Sequence, residues 1–265
     1  CGLYVWADDI MIGGDNDPAT FGRPRYSTAN MFLNGFMVSE FEAMAVIAEK
    51  LAPGRAAHFR GRAKRLKEAI QEQCWDRRDR FFYSVDVDVR TRHFDWFHQG
   101  LGVFWKSLPI KIRTWTGFIS LWSGVAEPAQ AAYLAWDHAA DANTFNSPFG
   151  IATLAMDEKM FDCRATNNPS NWLGPIWIVA NYVVFRGLMN YGFVREAAEL
   201  CEKTVRLLGH DLEKSGTLHE YYVPQTGEPV MNGGFLNWNL LVLNMIDELK
   251  GKPPMSRFWL PTVAR

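Results

Sequence analysis

Apolar positions recur at three- and four-residue spacing along most of the chain, the pattern of amphipathic helices. Residues 27–51 show it most clearly, with Phe32, Leu33, Phe36, Phe41, Met44, Ala45, Ile47 and Ala48 apolar. Pro53-Gly54 ends that run, and a more basic helix is predicted over 56–74. The arrangement returns twice. An apolar run at 118–123, a break at Gly124 and a helix over 128–140 make one pair; 175–191, Gly192 and 194–213 make the next. A last apolar helix is predicted over 235–249. After each break comes an alanine-rich, charged stretch: Arg55-Ala-Ala, Glu127-Pro-Ala-Gln-Ala-Ala and Arg195-Glu-Ala-Ala. The breaks are about 70 residues apart. Repeated helical hairpins predict an all-α chain, either an α-solenoid or a closed α/α toroid. The chain holds about four such units, and a closed six-hairpin toroid needs roughly 420 residues. On that fold, residues 1–265 are one domain that lacks about two hairpins before Cys1.

Long non-helical stretches at 76–98, 141–172 and 215–234 separate the pairs, and connections of this length in a helical protein usually build a binding face. Within the first, Phe81-Phe-Tyr-Ser-Val-Asp-Val-Asp-Val89 alternates with period two and predicts an edge hairpin. Aromatic residues reach 14 % with eleven Trp, more than core filling usually needs, which turns attention to a carbohydrate cleft. Lys plus Arg (28) nearly cancels Asp plus Glu (29), and the densest basic patch, 55–67, is the wet face of a helix. No nucleic-acid partner is expected. The four cysteines form no CxxC pair, which predicts reduced thiols in a cytoplasmic protein. The most apolar run, 176–185, is too short to span a bilayer and carries Asn181, so no membrane partner is expected either.

Candidate chemistry gathers in three segments. The first, Trp6-Ala-Asp-Asp-Ile-Met-Ile-Gly-Gly-Asp-Asn-Asp-Pro18, holds Asp8, Asp9, Asp15 and Asp17 beside Trp, Gly and Pro rather than beside Lys and Arg. Tryptophan covers the apolar face of a pyranose and carboxylates hold its hydroxyls; two carboxyls across a glycosidic bond also cleave it. The alternative is an acidic loop in which Asp15 and Asp17 cap a turn. The second segment runs from Asn167 through Trp172 and Pro175 to Trp177, with either ring available for stacking or for the core. In the third, Glu220 lies between His219 and the pair Tyr221-Tyr222, a setting that keeps a base ionised and able to orient water; a surface turn is the alternative. The stretch His93-Phe-Asp-Trp-Phe-His98 lacks a third strong ligand at metal spacing, and Asp15-Asn-Asp17 lacks the glycine and glutamate of a calcium loop. Arg23 and Arg25 offer either a partner for a substrate carboxylate or a salt bridge to the aspartates. Met31, Met37 and Met44 are core filler on helical spacing.

Asp9-Ile-Met-Ile-Gly-Gly-Asp-Asn-Asp-Pro18, Asn168-Pro-Ser-Asn-Trp-Leu-Gly-Pro-Ile-Trp177 and His219-Glu-Tyr-Tyr-Val-Pro-Gln-Thr-Gly-Glu228 together resemble the ordered motifs of glycoside hydrolase family 63. The bacterial mannosylglycerate and glucosylglycerate hydrolases are its most similar branch; family 37 trehalases share the toroid. The resemblance implies an (α/α)6 barrel and an inverting α-glycosidase that takes a small carbohydrate and needs neither metal nor organic cofactor. It maps the general acid to Asp15 and the general base to Glu220, with carboxyls roughly 6.5–9.5 Å apart so that a water fits between. Asp15 then has to keep a proton near neutral pH, through burial or a neighbouring carboxylate, and Asp17 is its rival for the role. Trp6, Asp8, Asp9, Asp17, Arg25, Trp172, Trp177, His219, Tyr221 and Tyr222 are the expected substrate contacts. Leu173 stands where the family commonly has a polar residue. A truncated, non-catalytic sugar-binding protein of the same fold is the second reading, and a trehalase- or oligosaccharide α-glucosidase-like hydrolase the third.

Overall fold

Asn30 and Pro53 open the two helices of the first hairpin in the computed structural model, which describes residues 1–7, 14–90, 104–164 and 170–254. Helix α1 (Met31–Leu51) starts where the Asn30 side chain accepts the Leu33 amide at 2.9 Å, a cap worth about 1 kcal/mol. Pro53 suits the first turn of α2 (Pro53–Gln73), where its missing N–H costs nothing. Small residues on α2, Ala56, Ala63 and Ala69, are buried and let the pair approach. The second hairpin is less regular. A 3-10 turn at Trp115–Phe118 leads into the short α3 (Ile119–Trp122), and α4 (Pro128–Tyr133) continues as a π-helical turn at Leu134–Ala139. The third, α5 (Ile178–Asn190) and α6 (Val194–Ser215), turns at Gly192, whose φ is +81°. A 3-10 turn at Trp238–Leu240 precedes α7 (Leu241–Leu249).

These helices make a row with a partial outer layer. Helix α3 packs between α1 and α5, α5 packs between α3 and α7, α2 covers α1, and α6 covers α5 and α7. A Cβ on Gly35 would lie 2.3 Å from Ile119 Cγ2, so the close approach of α1 to α3 depends on that glycine. By length and mean hydropathy (1.4), α1 is apolar enough to cross a bilayer, although 176–185 is the more apolar run. Its Met31, Val38, Phe41 and Ala45 are buried among the described residues.

The expected all-α class needs amendment, because three small antiparallel sheets fill the connections. Strand β4 (Val85–Arg90) lies between β1 (Thr28–Ala29) and β5 (Phe104–Pro109). Residues 81–89 therefore do not form one edge hairpin. Phe81–Phe82 (β3) pairs back onto β2 (Trp75–Asp76), and β4 is a central strand. Strands β6 (Asn146–Ser147) and β7 (Gly150–Ile151) form the third sheet. Two predicted helix starts were early for the same reason: residues 28–29 are strand, and Ile176 pairs with Tyr222 before α5 begins.

Candidate active site

The leading ends of the helices in the row meet in one aromatic cluster. Phe32 comes from the first turn of α1, Trp115 from the turn before α3, Trp177 from the cap of α5 and Trp238 from the turn before α7. Trp172 and Tyr221 complete it. Successive rings stack: Trp115 on Trp172 with centroids 5.8 Å apart, Trp172 on Trp177 at 4.1 Å and 10°, Trp177 on Tyr221 at 4.9 Å and 24°. Such contacts contribute about 0.5–1.5 kcal/mol each beyond burial. The turn that brings Trp172 onto Trp177 needs Gly174, whose φ is +133° and whose added Cβ would lie 2.4 Å from the Phe161 ring.

This stack corrects the expected roles of four residues. Trp177 is 1 % exposed with one face on Trp172 and the other on Tyr221, and its indole N–H donates to the Asn171 carbonyl at 2.8 Å. No face is left for a sugar. Trp172 (4 % exposed) is likewise covered, by Trp177 and Trp115, so neither ring is an open platform. Tyr221 and Tyr222 are fully buried, and the Tyr222 hydroxyl donates to Asp211 at 2.9 Å.

The acid loop is attached to this stack through Asn16. Its Nδ2 donates to Asn171 Oδ1 at 3.1 Å, and its Oδ1 accepts the Trp172 amide at 2.6 Å. Asp15 is exposed beside it. Asp17 is 4 % exposed and caps a turn, its Oδ1 accepting the Ala19 amide at 2.8 Å. Burial pushes the Asp17 carboxyl up to about 6 despite that bond. The turn-capping alternative thus describes Asp17. Asp8 and Asp9 lie outside the described residues, as do 91–103 with His93 and His98. The Trp6 indole N–H donates to Asn30 Oδ1 at 2.9 Å, which ties the first strand-like segment to the α1 cap. Arg23 pairs with Asp86 on β4, its Nε 2.8 Å from Oδ1, rather than with the acid loop; Arg25 is exposed.

The base loop is a narrow hairpin. The Glu220 amide donates to the Met231 carbonyl at 3.0 Å, Val230 N to Tyr221 O at 3.1 Å, and Tyr222 exchanges two backbone bonds with Ile176. Glu220 is half-buried, and Asn232 Nδ2 donates to its Oε2. Asn232 has φ +48°, a left-handed conformation that asparagine tolerates. Beneath the hairpin, His219 Nδ1 donates to Asp211 Oδ2 at 2.9 Å. Burial pushes the Asp211 carboxyl up, but bonds from His219, Tyr222 and Ser215 outweigh it and hold the group below the usual carboxylate range. Among the described residues no three His, Cys, Asp or Glu side chains gather as a metal site.

Sequence reasoning therefore missed Asn16, Trp115, Asn171, Asp211 and Asn232. Asn16 and Asn171 stood inside the quoted motifs, where an asparagine flanking a turn was a readable signal. Asp211 gave none, because its neighbours along the chain are ordinary helix residues, and Trp115 lies between Thr114 and Thr116 outside the quoted motifs.

Residues 3–238 match the family model of the mannosylglycerate hydrolase MGH1-like glycoside hydrolase domain. The chain belongs to this family. It is 27 % identical over 169 residues to mannosylglycerate hydrolase of Thermus thermophilus, covering 63 % of this chain and 33 % of that protein. It is 30 % identical over 164 residues to mannosylglycerate hydrolase MGH1 of Selaginella moellendorffii, covering 62 % and 30 %. The chain thus spans about a third of the length of these curated relatives. A family-63 mannosylglycerate hydrolase of Thermus thermophilus, solved in complex with glucose, superposes with a TM-score of 0.69 at 21 % identity, covering 91 % of this chain and 62 % of that one. That likeness is one of fold. The row of α1, α3, α5 and α7 with its outer layer is consistent with an α/α toroid-type fold, and all three motif segments fall inside the matched region.

Proposed function

We propose that this family-63 domain carries the acid–base pair of an inverting α-glycoside hydrolase for a small glucoside or mannoside such as glucosylglycerate or mannosylglycerate. Asp15 protonates the leaving oxygen, and Glu220 draws a proton from the attacking water. The observation that carries this reading is the common attachment of both motif loops. Asn16, next to Asp15, bonds to the backbone of Trp172 within the ring stack, and Tyr221, next to Glu220, lies two rings further on at its end. With Oε2 of Glu220 engaged by Asn232, the other carboxylate oxygen is the one that meets water. The Oδ1 of Asp17 is committed to the Ala19 amide, which favours Asp15 as the acid. Trp6 and His219 are partly exposed and Arg25 is exposed, which suits contact with sugar or aglycone, and the motifs assign Asp8 and Asp9 to hydroxyls. Four free cysteines support a cytoplasmic setting.

Two other readings have support. A probable mannosyl-oligosaccharide glucosidase of Schizosaccharomyces pombe is 25 % identical over 80 % of this chain, which favours a longer α-glucoside. The exposure of Asp15 favours sugar binding without turnover. Proton NMR of the full chain with mannosylglycerate, glucosylglycerate and a glucosyl oligosaccharide separates them. The β-anomer should be released first, and Asp15→Asn and Glu220→Gln should each lower kcat by about 10²–10⁴-fold. Release of the α-anomer first, or intact turnover in both variants, overturns the proposal; saturable binding with no release selects the non-catalytic reading.

A further inference from the structure

The segment bearing Glu220 is held from both sides, and the two holds differ in kind. After Glu220 the backbone does it, through Val230 N to Tyr221 O and the paired bonds of Tyr222 with Ile176. Before it, the Phe235 amide donates to the Leu218 carbonyl at 2.9 Å, and side chains hold His219. Asn239 Nδ2 donates to the His219 carbonyl at 2.7 Å, and Asp211 takes the rest. Asp211 lies one turn before the end of α6 and is 2 % exposed. Its carboxylate accepts the His219 amide at 3.1 Å, His219 Nδ1 at 2.9 Å and the hydroxyls of Tyr222 and Ser215 at 2.9 Å each. A carboxylate near a helix C-terminus faces the negative end of the helix dipole, so α6 itself gives no reason for an acid there. Three of those four bonds come instead from the segment 219–222.

We propose that Asp211 is a positioning residue for Glu220, acting through His219 and Tyr222. The inference rests on Glu220 being the base. Asp211 fixes the proton on Nδ1 of His219 and with it the ring orientation, and it anchors the backbone one bond before Glu220. In a neutral His219, Nε2 remains an acceptor beside Gly233, where an added Cβ would lie 3.4 Å away. A base displaced by about 1 Å from its water loses on the order of 10²-fold in rate, so a remote carboxylate acquires control over turnover without touching substrate.

The test compares Asp211→Asn with Ser215→Ala in the full chain. Both remove a bond to the same carboxylate site, but Ser215 makes none to residues 219–222 among those described. Asp211→Asn should speed hydrogen exchange of the His219 and Glu220 amides by about tenfold or more and lower kcat on a glycosylglycerate by about 10- to 100-fold, with KM within about twofold. Ser215→Ala should leave both readouts unchanged. Unaltered exchange in Asp211→Asn, or an equal fall of kcat in the two variants, overturns the proposal. Should Asp211→Asn fail to fold, Asp211→Glu keeps the charge but displaces the carboxylate from the His219 amide and ring; faster exchange at His219 supports the proposal and unchanged exchange overturns it. If the wild-type chain turns over no glycoside, the hydrolase reading fails, while the exchange measurement still decides whether Asp211 holds the segment.

Discussion

The acid loop and the base loop reach the same aromatic stack by opposite means. The side-chain bonds that hold the Glu220 segment come from close along the chain, although Tyr222 also pairs with the remote Ile176: Asp211 is eight residues from His219, Asn232 is twelve from Glu220 and Asn239 is twenty from His219. Asp15 depends on Asn16, whose partners Asn171 and Trp172 lie 155 and 156 residues away. A local frame forms with its own hairpin, whereas a remote one exists only after α5 and the 170–177 turn have docked. Glu220 is thus held mainly by groups within residues 211–239, and Asp15 by groups from two segments far apart along the chain. Loop-closure entropy favours the first arrangement.

Three substitutions break or sharpen that contrast. Trp177→Ala attacks the spine that both loops share. It should destabilise the protein by about 3–5 kcal/mol in urea denaturation, the cost of deleting a buried tryptophan. If the midpoint stays put and only KM rises, Trp177 is a sugar platform and the burial argument fails.

Next in size is a pH effect confined to the acid side. The folded-state value of Asp17, about 6, lies above its ordinary 3.8, so folding favours the protonated form. Its stabilisation is fully present below about pH 4 and is lost as pH rises through about 6, a change on the order of 3 kcal/mol. Asp17→Asn should flatten the stability profile across that window. Chemical denaturation at pH 4, 5, 6 and 7 checks it, and an unchanged slope would sink the assignment of burial as the cause.

The smallest effect separates the loops cleanly. Asn16→Ala removes one donor and one acceptor and should cost about 1–3 kcal/mol, since it leaves buried partners unsatisfied. Exchange should accelerate at the Trp172 amide, while the Glu220 amide keeps its protection. Equal loosening of both would mean that the two loops form one cooperative unit.

Much of this architecture was legible along the chain. Helical period, the glycine breaks and the alanine-rich starts located all the long helices, because those signals depend on residues within a few positions of each other. The early helix starts and the central place of β4 were not legible, since pairing with Thr28–Ala29 and Phe104–Pro109 is a long-range event. For the site, motif spacing picked out Asp15 and Glu220 but assigned Trp177, Tyr221 and Tyr222 to substrate. Sequence shows that aromatic residues are present; it does not show which faces are covered, and here both faces of Trp177 are.

By itself, then, the sequence determined the long helices and the family, and it proposed the two carboxylates, all from local pattern and motif order. Tertiary structure alone decided which rings are wall interior, that burial raises the Asp17 carboxyl, and that Asp211 stands under the Glu220 loop. Burial, stacking and buried hydrogen bonds are properties of groups brought together from distant positions, and only the packed chain brings them together.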